Sequence, residues 1–195
     1  TGVNVRLDVG RLSPEHARVP AYVRELQATL RAGAKEPKSV LLTDLDWAVE
    51  KGQQGLDAFD QAAYLVRSDL LLHPLGVRPA LAIRNDDFAR YGLGLTYRRE
   101  LSIPPLTERP KAFQLRPAWW GVLRTRQWLD QLDAPAEIEV QDVIPGRTRC
   151  LLFQRKSDGR HVAILWRNDE PGYLSFAMAG IPAESAEDAF GTPIA

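Results

Sequence analysis

Apolar and polar residues in the first ninety positions alternate with the periods of strands and helices. Residues 3–9 switch between apolar and polar side chains at every position, which is the period of a β-strand. Residues 39–47 begin with a largely apolar run after Ser39, and residues 77–83, which are apolar except for Arg78, form another; runs of this length are typical of buried parallel strands. Because helical patterns separate these three stretches, the sequence predicts right-handed β-α units with a parallel sheet.

Two helices are predicted between the strands. The first starts near Ser13, a helix-capping residue followed by Pro14 and Glu15, or starts afresh at Pro20, and Gly33 is suited to its end. Its apolar positions recur at helical spacing: Val19, Val23, Leu26 and Leu30. The second follows the cap residue Asp57 and ends at residues 73–76. Its predicted apolar side consists of Phe59, Ala63, Val66 and Leu70.

The pattern changes after a proline-rich loop and a third helix, predicted over residues 117–133. We expect the apolar side chains of this helix to face a core rather than to form a platform for sugars. They are Trp119, Trp120, Leu123, Trp128 and Leu132. Four short alternating runs follow, at 137–143, 147–155, 161–167 and 172–178, and Ser157-Asp158-Gly159 is a strong hairpin signal. The sequence therefore predicts an α/β fold, with β-α units over residues 1–134 and an antiparallel β module over residues 135–195.

Charge and cysteine content argue against several classes of protein. The chain has 25 Lys and Arg residues and 25 Asp and Glu residues, so it lacks the basic excess that nucleic-acid-binding proteins usually carry. No apolar run reaches the ~18 residues that are needed to span a bilayer. The single cysteine, Cys150, excludes an intramolecular disulfide and a thiolate metal cage, and we expect it to be buried. Neither a nucleic-acid partner nor a membrane span is expected.

Polar residues follow each of the three predicted strands, where parallel sheets usually bind their ligands. This places a candidate site at the carboxyl ends of the strands. Its residues are Arg6 and Asp8 near the end of the first strand, Asp44, Asp46 and Trp47 after the second, and Arg84 and Asp86 after the third.

Structural alternatives exist for these residues. Asp44 and Asp46 could share a proton or bind a cation, or one of them could be exposed or cap the next segment. Trp47 could stack on a sugar ring or pack in a core, and Arg84 could bind substrate or pair with an aspartate at an adjacent strand end. No spacing of His, Cys, Asp or Glu is diagnostic of a metal site, so neither a metal nor a cofactor is predicted.

Several segments of the chain resemble segments that occur in the same order in a known protein family. Residues 37–47 read Pro-Lys-Ser-Val-Leu-Leu-Thr-Asp-Leu-Asp-Trp, and residues 115–123 read Leu-Arg-Pro-Ala-Trp-Trp-Gly-Val-Leu. These strings resemble the seventh-strand signature and the opening of the last barrel helix in clan A retaining glycoside hydrolases. Residues 60–65 and 77–87 are similar to the helix between them and to the eighth strand with its loop. The β module, with residues 188–193 near its end, is similar to the β-sandwich of family-39-like members.

The resemblance implies the last three strands of a (β/α)8 barrel followed by a small antiparallel β-sandwich module. It implies that Asp44 lies at the position of the catalytic nucleophile, where the family usually has Glu, and that Asp46 replaces a Gly. The family's acid/base belongs to an Asn-Glu pair, which this sequence does not contain. It further implies a glycan substrate, an extracellular or periplasmic location, and either a remainder of the barrel that another chain or residues beyond this sequence supply, or a rearranged fold.

Two classes of function are consistent with these patterns. The first is a retaining glycoside hydrolase that acts on a polysaccharide or oligosaccharide through Asp44. The second is a non-catalytic relative, a pseudoenzyme or fragment that binds a glycan or a protein partner through the same strand ends. For the fold, the alternative to a partial barrel is a self-contained α/β protein with an added β module.

Overall fold

The computed structural model describes residues 2–7, 12–33, 39–45, 47, 56–80, 96–97, 114–115, 117–138, 147–168 and 184–194. In these ranges the chain combines helices and strands, which confirms the α/β class. The elements in chain order are β1 (Gly2–Arg6), α1 (Val19–Gly33), β2 (Ser39–Asp44), α2 (Ala58–Leu72) with a 3-10 turn (His73–Leu75), β3 (Thr96–Tyr97), β4 (Gln114–Leu115), α3 (Pro117–Gln131), β5 (Ala136–Ile138), β6 (Thr148–Gln154) and β7 (His161–Arg167).

These elements belong to two compact units, Thr1–Arg126 and Gln127–Ala195, and the division falls within α3. The domain boundary expected between residues 134 and 135 stays a prediction. In the first unit β1 pairs with β2, and β3 pairs with β4; in the second, β5, β6 and β7 form one sheet. The described strands form neither a closed barrel nor a sandwich.

Strands β1 and β2 form the parallel pair that the sequence predicted, with Gly2 opposite Ser39 and Val5 opposite Leu42. The register then shifts by one residue, so that Arg6 lies opposite Asp44, which is the signature of a β-bulge in β2. Side chains alternate across a strand, and accordingly Leu42 is fully buried whereas Leu41 is 50% exposed. One face of the pair therefore contributes to the core.

Helix α1 uses the later of its two predicted starts. Residues 14–18 form a separate turn that ends at Arg18, whose φ of 54° is left-handed, and the helix begins at Val19. Pro20 lies in the first turn, where its missing N–H leaves no helical hydrogen bond unmade. Val19 and Val23 are buried, as the helical spacing predicted, and the helix ends at Gly33.

Helix α2 starts as predicted, and Val66 and Leu70 of its predicted apolar side are buried, but the other two residues of that side are not. The Asp57 carboxylate accepts hydrogen bonds from the backbone N–H groups of Phe59 and Asp60, both at 2.7 Å, which confirms Asp57 as the cap. Phe59, assigned to the apolar side, is 64% exposed, and Ala63 is exposed as well. Every residue from 65 to 72 is buried, including Arg67, Ser68 and Asp69. The second half of α2 is thus enclosed on all sides, so no amphipathic pattern describes it.

The buried polar residues of α2 have partners on other elements, as low-dielectric surroundings require. Asp69 accepts hydrogen bonds from Arg126 of α3, at 2.7 Å from Nε and 3.0 Å from Nη2. The same guanidinium donates to the Pro79 carbonyl at 2.8 Å. Arg126 therefore links α2, α3 and the segment that follows the 3-10 turn.

Helix α3 begins at Pro117 as predicted and ends at Gln131, two residues earlier than predicted, and two of its apolar residues do not face a core. Trp120 is 54% exposed, and Leu123 is exposed as well. The buried residues of the helix follow another stripe, with spacings of four, three and four residues, and include small side chains that permit close approach. They are Ala118, Val122, Thr125 and Leu129, and Gly121 beside them is buried as well.

The third predicted strand, residues 77–83, is described only as far as Ala80. The Ala80 N–H donates to the Leu42 carbonyl at 2.7 Å, which places this segment beside β2. No strand is assigned to residues 77–80, and residues 81–83 lie outside the described part of the chain.

The second unit contains the antiparallel sheet that the alternating runs predicted. Strand β6 pairs with β5 on one side and with β7 on the other, and Gln154 opposite His161 is the last pair before the hairpin turn. Gly159 adopts a φ of 72° in that turn, which explains the strong Asp-Gly signal. Cys150 is buried, as expected, and burial raises the pKa of its thiol. The predicted run 172–178 lies outside the described residues.

Leu42→Ala should lower the free energy of unfolding by about 2–5 kcal/mol, because it leaves a cavity in the core. The matched control is Leu41→Ala on the neighbouring, half-exposed position, which should cost about 1 kcal/mol or less. Urea denaturation followed by circular dichroism measures both. Equal losses for the two variants would contradict the assigned faces of β2.

Asp69 should make stability depend on pH. Burial raises the pKa of this carboxyl, against the opposing effects of Arg126, Arg78 and His73. A raised pKa means that the folded state holds the proton more tightly, so the contribution of Asp69 is largest below the unfolded pKa of about 3.9 and declines as the pH rises through the folded value. The stability of the wild type relative to Asp69→Asn should therefore fall over this range; parallel pH profiles would refute the assignment.

Candidate functional site

The carboxyl ends of β1 and β2 bring together the backbone positions of two predicted site residues. Arg6 and Asp44 are register partners, each at the last residue of its strand. The bulge also changes which positions are buried: Leu42 and Leu45 are buried three residues apart, and Trp47 follows two residues later. After the bulge Asp44 and Asp46 therefore occupy the positions in the sequence that alternate with buried Leu45 and Trp47.

Trp47 is held from both sides. Its indole N–H donates to the Leu12 carbonyl at 2.8 Å, in the segment that precedes α1, and its own carbonyl accepts from the Gln61 amide of α2 at 2.6 Å. The Tyr64 ring meets the indole edge-to-face, with ring centroids 5.7 Å apart. These contacts fix the chain just beyond the end of β2, next to Asp44 and Asp46.

A buried ion pair lies beside Tyr64, the residue whose ring packs against Trp47. Arg67 of α2 forms two hydrogen bonds with the Glu15 carboxylate, and both side chains are more than 90% buried. The Arg67 guanidinium also lies 5.3 Å from the centre of the Tyr64 ring, close enough for a cation–π interaction. Burial raises the pKa of Tyr64, and the charge of Arg67 opposes this shift. The pair joins the turn before α1 to α2 and so stabilises the two segments that hydrogen-bond to Trp47.

The burial and the contacts of Trp47 favour packing of its side chain in the core over stacking on a sugar ring. The side chain is fully buried, its one polar group is satisfied by Leu12, and a neighbouring aromatic ring packs against it. A pyranose needs an open aromatic face, which this arrangement does not offer. Trp47 therefore positions the strand end rather than presenting a surface of its own.

The other predicted site residues, Asp8, Asp46, Arg84 and Asp86, lie outside the described residues. Their assembly around Asp44 stays a prediction. Within the part of the chain that the structure describes, no three His, Cys, Asp or Glu residues are arranged to hold a metal ion.

Sequence reasoning missed Gln61, Glu15 and Arg67, which organise the strand end. The Arg67–Glu15 contact spans 52 residues and the Gln61–Trp47 contact spans 14, so neither follows from a local spacing. One signal was present: residues 65–72 of α2 are mostly apolar, with Arg67, Ser68 and Asp69 among them. Charged residues inside such a run indicate paired charges in a buried helix.

Gln61→Met should destabilise the first unit by about 1–3 kcal/mol, because it keeps the side-chain volume but removes the donor to the buried Trp47 carbonyl. Gln127→Met, at an exposed position of α3, is the matched control and should change little. Thermal and urea unfolding give the free energies, and Trp fluorescence reports the indole environment. If the two variants have the same free energy of unfolding, the Gln61 hydrogen bond does not stabilise the chain at Trp47.

Comparison of the chain with protein-family models, curated protein sequences and solved structures gave no significant match. None of the helices in the described ranges combines the length and the apolar character needed to cross a membrane. A functional assignment consequently depends on the chemistry of the strand ends.

Proposed function

We propose that this chain is a carbohydrate-active protein of the retaining glycoside hydrolase type, in which Asp44 takes the position of the nucleophile. The observation that carries the proposal is the register of the parallel pair, which ends with Arg6 beside Asp44 at the carboxyl end of both strands. Ligands of parallel α/β sheets bind at this end. A bulge at this point is a further feature that strands often have near active sites.

The order of elements supports a partial (β/α)8 barrel. Strand, helix, strand and helix follow each other in the first unit, and the Ala80 N–H then donates to the Leu42 carbonyl of β2. Parallel sheets are normally covered on both faces, yet Leu41 is half-exposed and Asn4 is exposed on the face opposite the core. In a complete barrel this face would line the interior. Under this proposal the second unit is part of the appended β-sandwich module.

The proposed reaction follows from the two-carboxylate chemistry of retaining enzymes. An Asp44 oxygen attacks the anomeric carbon, the bond from that carbon to the leaving oxygen breaks, and a carboxylic acid roughly 5–5.5 Å away protonates the leaving oxygen. Water then attacks the same anomeric carbon and gives a proton to the carboxylate that the acid has become, so that the glycosyl ester breaks and both Asp44 and the acid are regenerated. Arg6, Asp8, Asp46, Arg84 and Asp86 would bind sugar hydroxyls around this centre. Since no Asn-Glu pair is present, the acid would come from the remainder of the barrel, in another chain or in residues beyond this sequence.

A second candidate function is non-catalytic binding of a glycan or a protein at the same strand ends. The enclosure of α2 favours it, because the outer helices of a (β/α)8 barrel keep one face in water whereas residues 65–72 are all buried. The shorter side chain at position 44 favours it as well. Aspartate reaches about a bond length less than glutamate, and a misplacement near 1 Å can cost on the order of 10²-fold in rate.

Asp44→Glu and Asp44→Asn distinguish the two functions. For a hydrolase, Asp44→Asn should abolish release of nitrophenol from aryl β-glycosides, and Asp44→Glu should preserve it or raise it by up to on the order of 10²-fold. Asp133→Asn, an exposed aspartate of the second unit, is the control and should not change the rate. For a binding protein, no variant hydrolyses the substrates, and Asp44→Asn weakens retention of a β-linked oligosaccharide. Hydrolysis that is equal in the wild type and Asp44→Asn removes Asp44 from the mechanism.

A further inference from the structure

The face of the parallel pair opposite the core carries a hydrogen bond between the strands, next to an apolar side chain. Asn4 of β1 and Leu41 of β2 are register partners, and both are exposed. The Thr43 hydroxyl donates to Oδ1 of Asn4 at 2.5 Å. Leu42, between Leu41 and Thr43 in the sequence, is buried in the core. Asn4, Leu41 and Thr43 therefore form one small surface on the face opposite the core.

The bulge in β2 supplies one partner of this hydrogen bond. Thr43 is the residue that the bulge adds just before Asp44, and its hydroxyl reaches across to the neighbouring strand. The bond orders both side chains in advance, so this cost is not paid again when a ligand binds. The bond also polarises the Asn4 amide, which strengthens donation by its N–H groups.

The Asn4–Thr43 pair presents a donor and an acceptor side by side. Oδ1 of Asn4 receives the Thr43 hydroxyl, and the amide nitrogen carries two N–H groups that can donate. The Thr43 oxygen gives its hydrogen to Asn4 and keeps lone pairs that can accept. Two hydroxyls on adjacent carbons complement this arrangement, because one can accept from the amide while the other donates to the Thr43 oxygen.

The apolar neighbour of the pair and the space beside it restrict the ligand further. Asn4 and Leu41 line a cleft of about 720 Å³, a volume within the range of about 300–1,000 Å³ that is usual for small-molecule sites. Leu41 leaves half of its surface exposed. A pyranose has C–H groups on its ring face and hydroxyls on its rim, so it can cover Leu41 and bind the Asn4–Thr43 pair at the same time.

We propose that Asn4 and Thr43 bind two adjacent hydroxyls of a sugar ring whose apolar face covers Leu41. The inference rests on the proposed function, which supplies the glycan, and it adds the residues that select the sugar. Arg6, the register partner of Asp44, lies two residues after Asn4, about 7 Å along β1. A ring held by the pair therefore lies close to the position proposed for the nucleophile. The configuration at the two hydroxyl-bearing carbons determines which glycosides the site accepts.

The test measures binding of methyl β-glycosides to the ¹⁵N-labelled full chain by NMR. The panel consists of the methyl β-D-pyranosides of glucose, galactose, mannose and xylose, followed by the monodeoxy analogues of the one that binds most tightly. This glycoside should shift the amide resonances of residues 3–5 and 40–43. Removal of either hydroxyl that the pair binds should weaken binding by about tenfold, and removal of any other hydroxyl should have a smaller effect.

Two nearly isosteric variants connect each sugar hydroxyl to its protein group. Thr43→Val removes the acceptor, so it should bind the parent glycoside and one monodeoxy analogue equally, whereas Thr43→Ser should retain the difference. Asn4→Asp can still accept from Thr43 but, as a carboxylate, cannot donate, so it should lose the difference for the adjacent hydroxyl. Thr29→Val, at an exposed position of α1, is the control and should preserve both differences.

The outcomes separate this inference from the proposed function. Equal affinity for the parent glycoside and all its monodeoxy analogues would overturn the inference and leave the proposed function standing. Unchanged discrimination in Thr43→Val and Asn4→Asp would do the same. Hydroxyl-dependent binding without hydrolysis of aryl β-glycosides would support the inference and remove only the catalytic step. Failure of all four glycosides to shift any resonance at high millimolar concentration would overturn the inference and glycan binding together.

Discussion

The complete burial of the second half of α2 is the constraint on which the first unit depends. A helix that is enclosed on all sides cannot leave a charge unpaired, because the cost in a low-dielectric interior is several kcal/mol. Arg67 and Asp69 therefore need partners that reach them from elsewhere, and Glu15 and Arg126 supply them. The turn before α1 and the helix α3 are in this way tied to one central helix, and the strand pair packs against the same core.

The sequence predicted where helices and strands occur better than it predicted which of their side chains are buried. Strand β2, the cap at Asp57 and the hairpin at Asp158-Gly159 follow from local signals, namely an apolar run, a carboxylate before a helix, and a glycine that accepts a left-handed φ. The exposure of Phe59 and Trp120 could not be predicted from local signals. Periodicity shows that a helix is amphipathic, but it does not show which neighbouring elements enclose the helix. In the second half of α2, the side that was expected to face water is buried as well. The apolar pattern therefore could not show which side of this helix faces the core.

The candidate site was predictable only in part, for the same reason. Polar residues after an apolar run could be recognised in the sequence, and the register of β1 and β2 does place Arg6 beside Asp44. The role of Trp47 was not predictable, because it depends on a carbonyl from the segment before α1 and on an amide from α2. The two ends of the strand pair thus differ in construction. The carboxyl end is supported by buried polar contacts, and the amino end borders a cleft lined by residues that include Val3, Val40 and Val77.

The bulge in β2 has a consequence for how this region tolerates changes in length. Before it, the buried positions of the strand are even-numbered, Val40 and Leu42; after it they are odd-numbered, Leu45 and Trp47. Thr43 is the extra residue of the bulge, so its loss alone would restore uniform alternation and leave Leu45 and Trp47 at buried positions. A one-residue insertion or deletion elsewhere in the strand would instead make the side chains on one side of the change exchange faces. The bulge is therefore the one place in β2 where the chain can lose a residue without inverting the strand end.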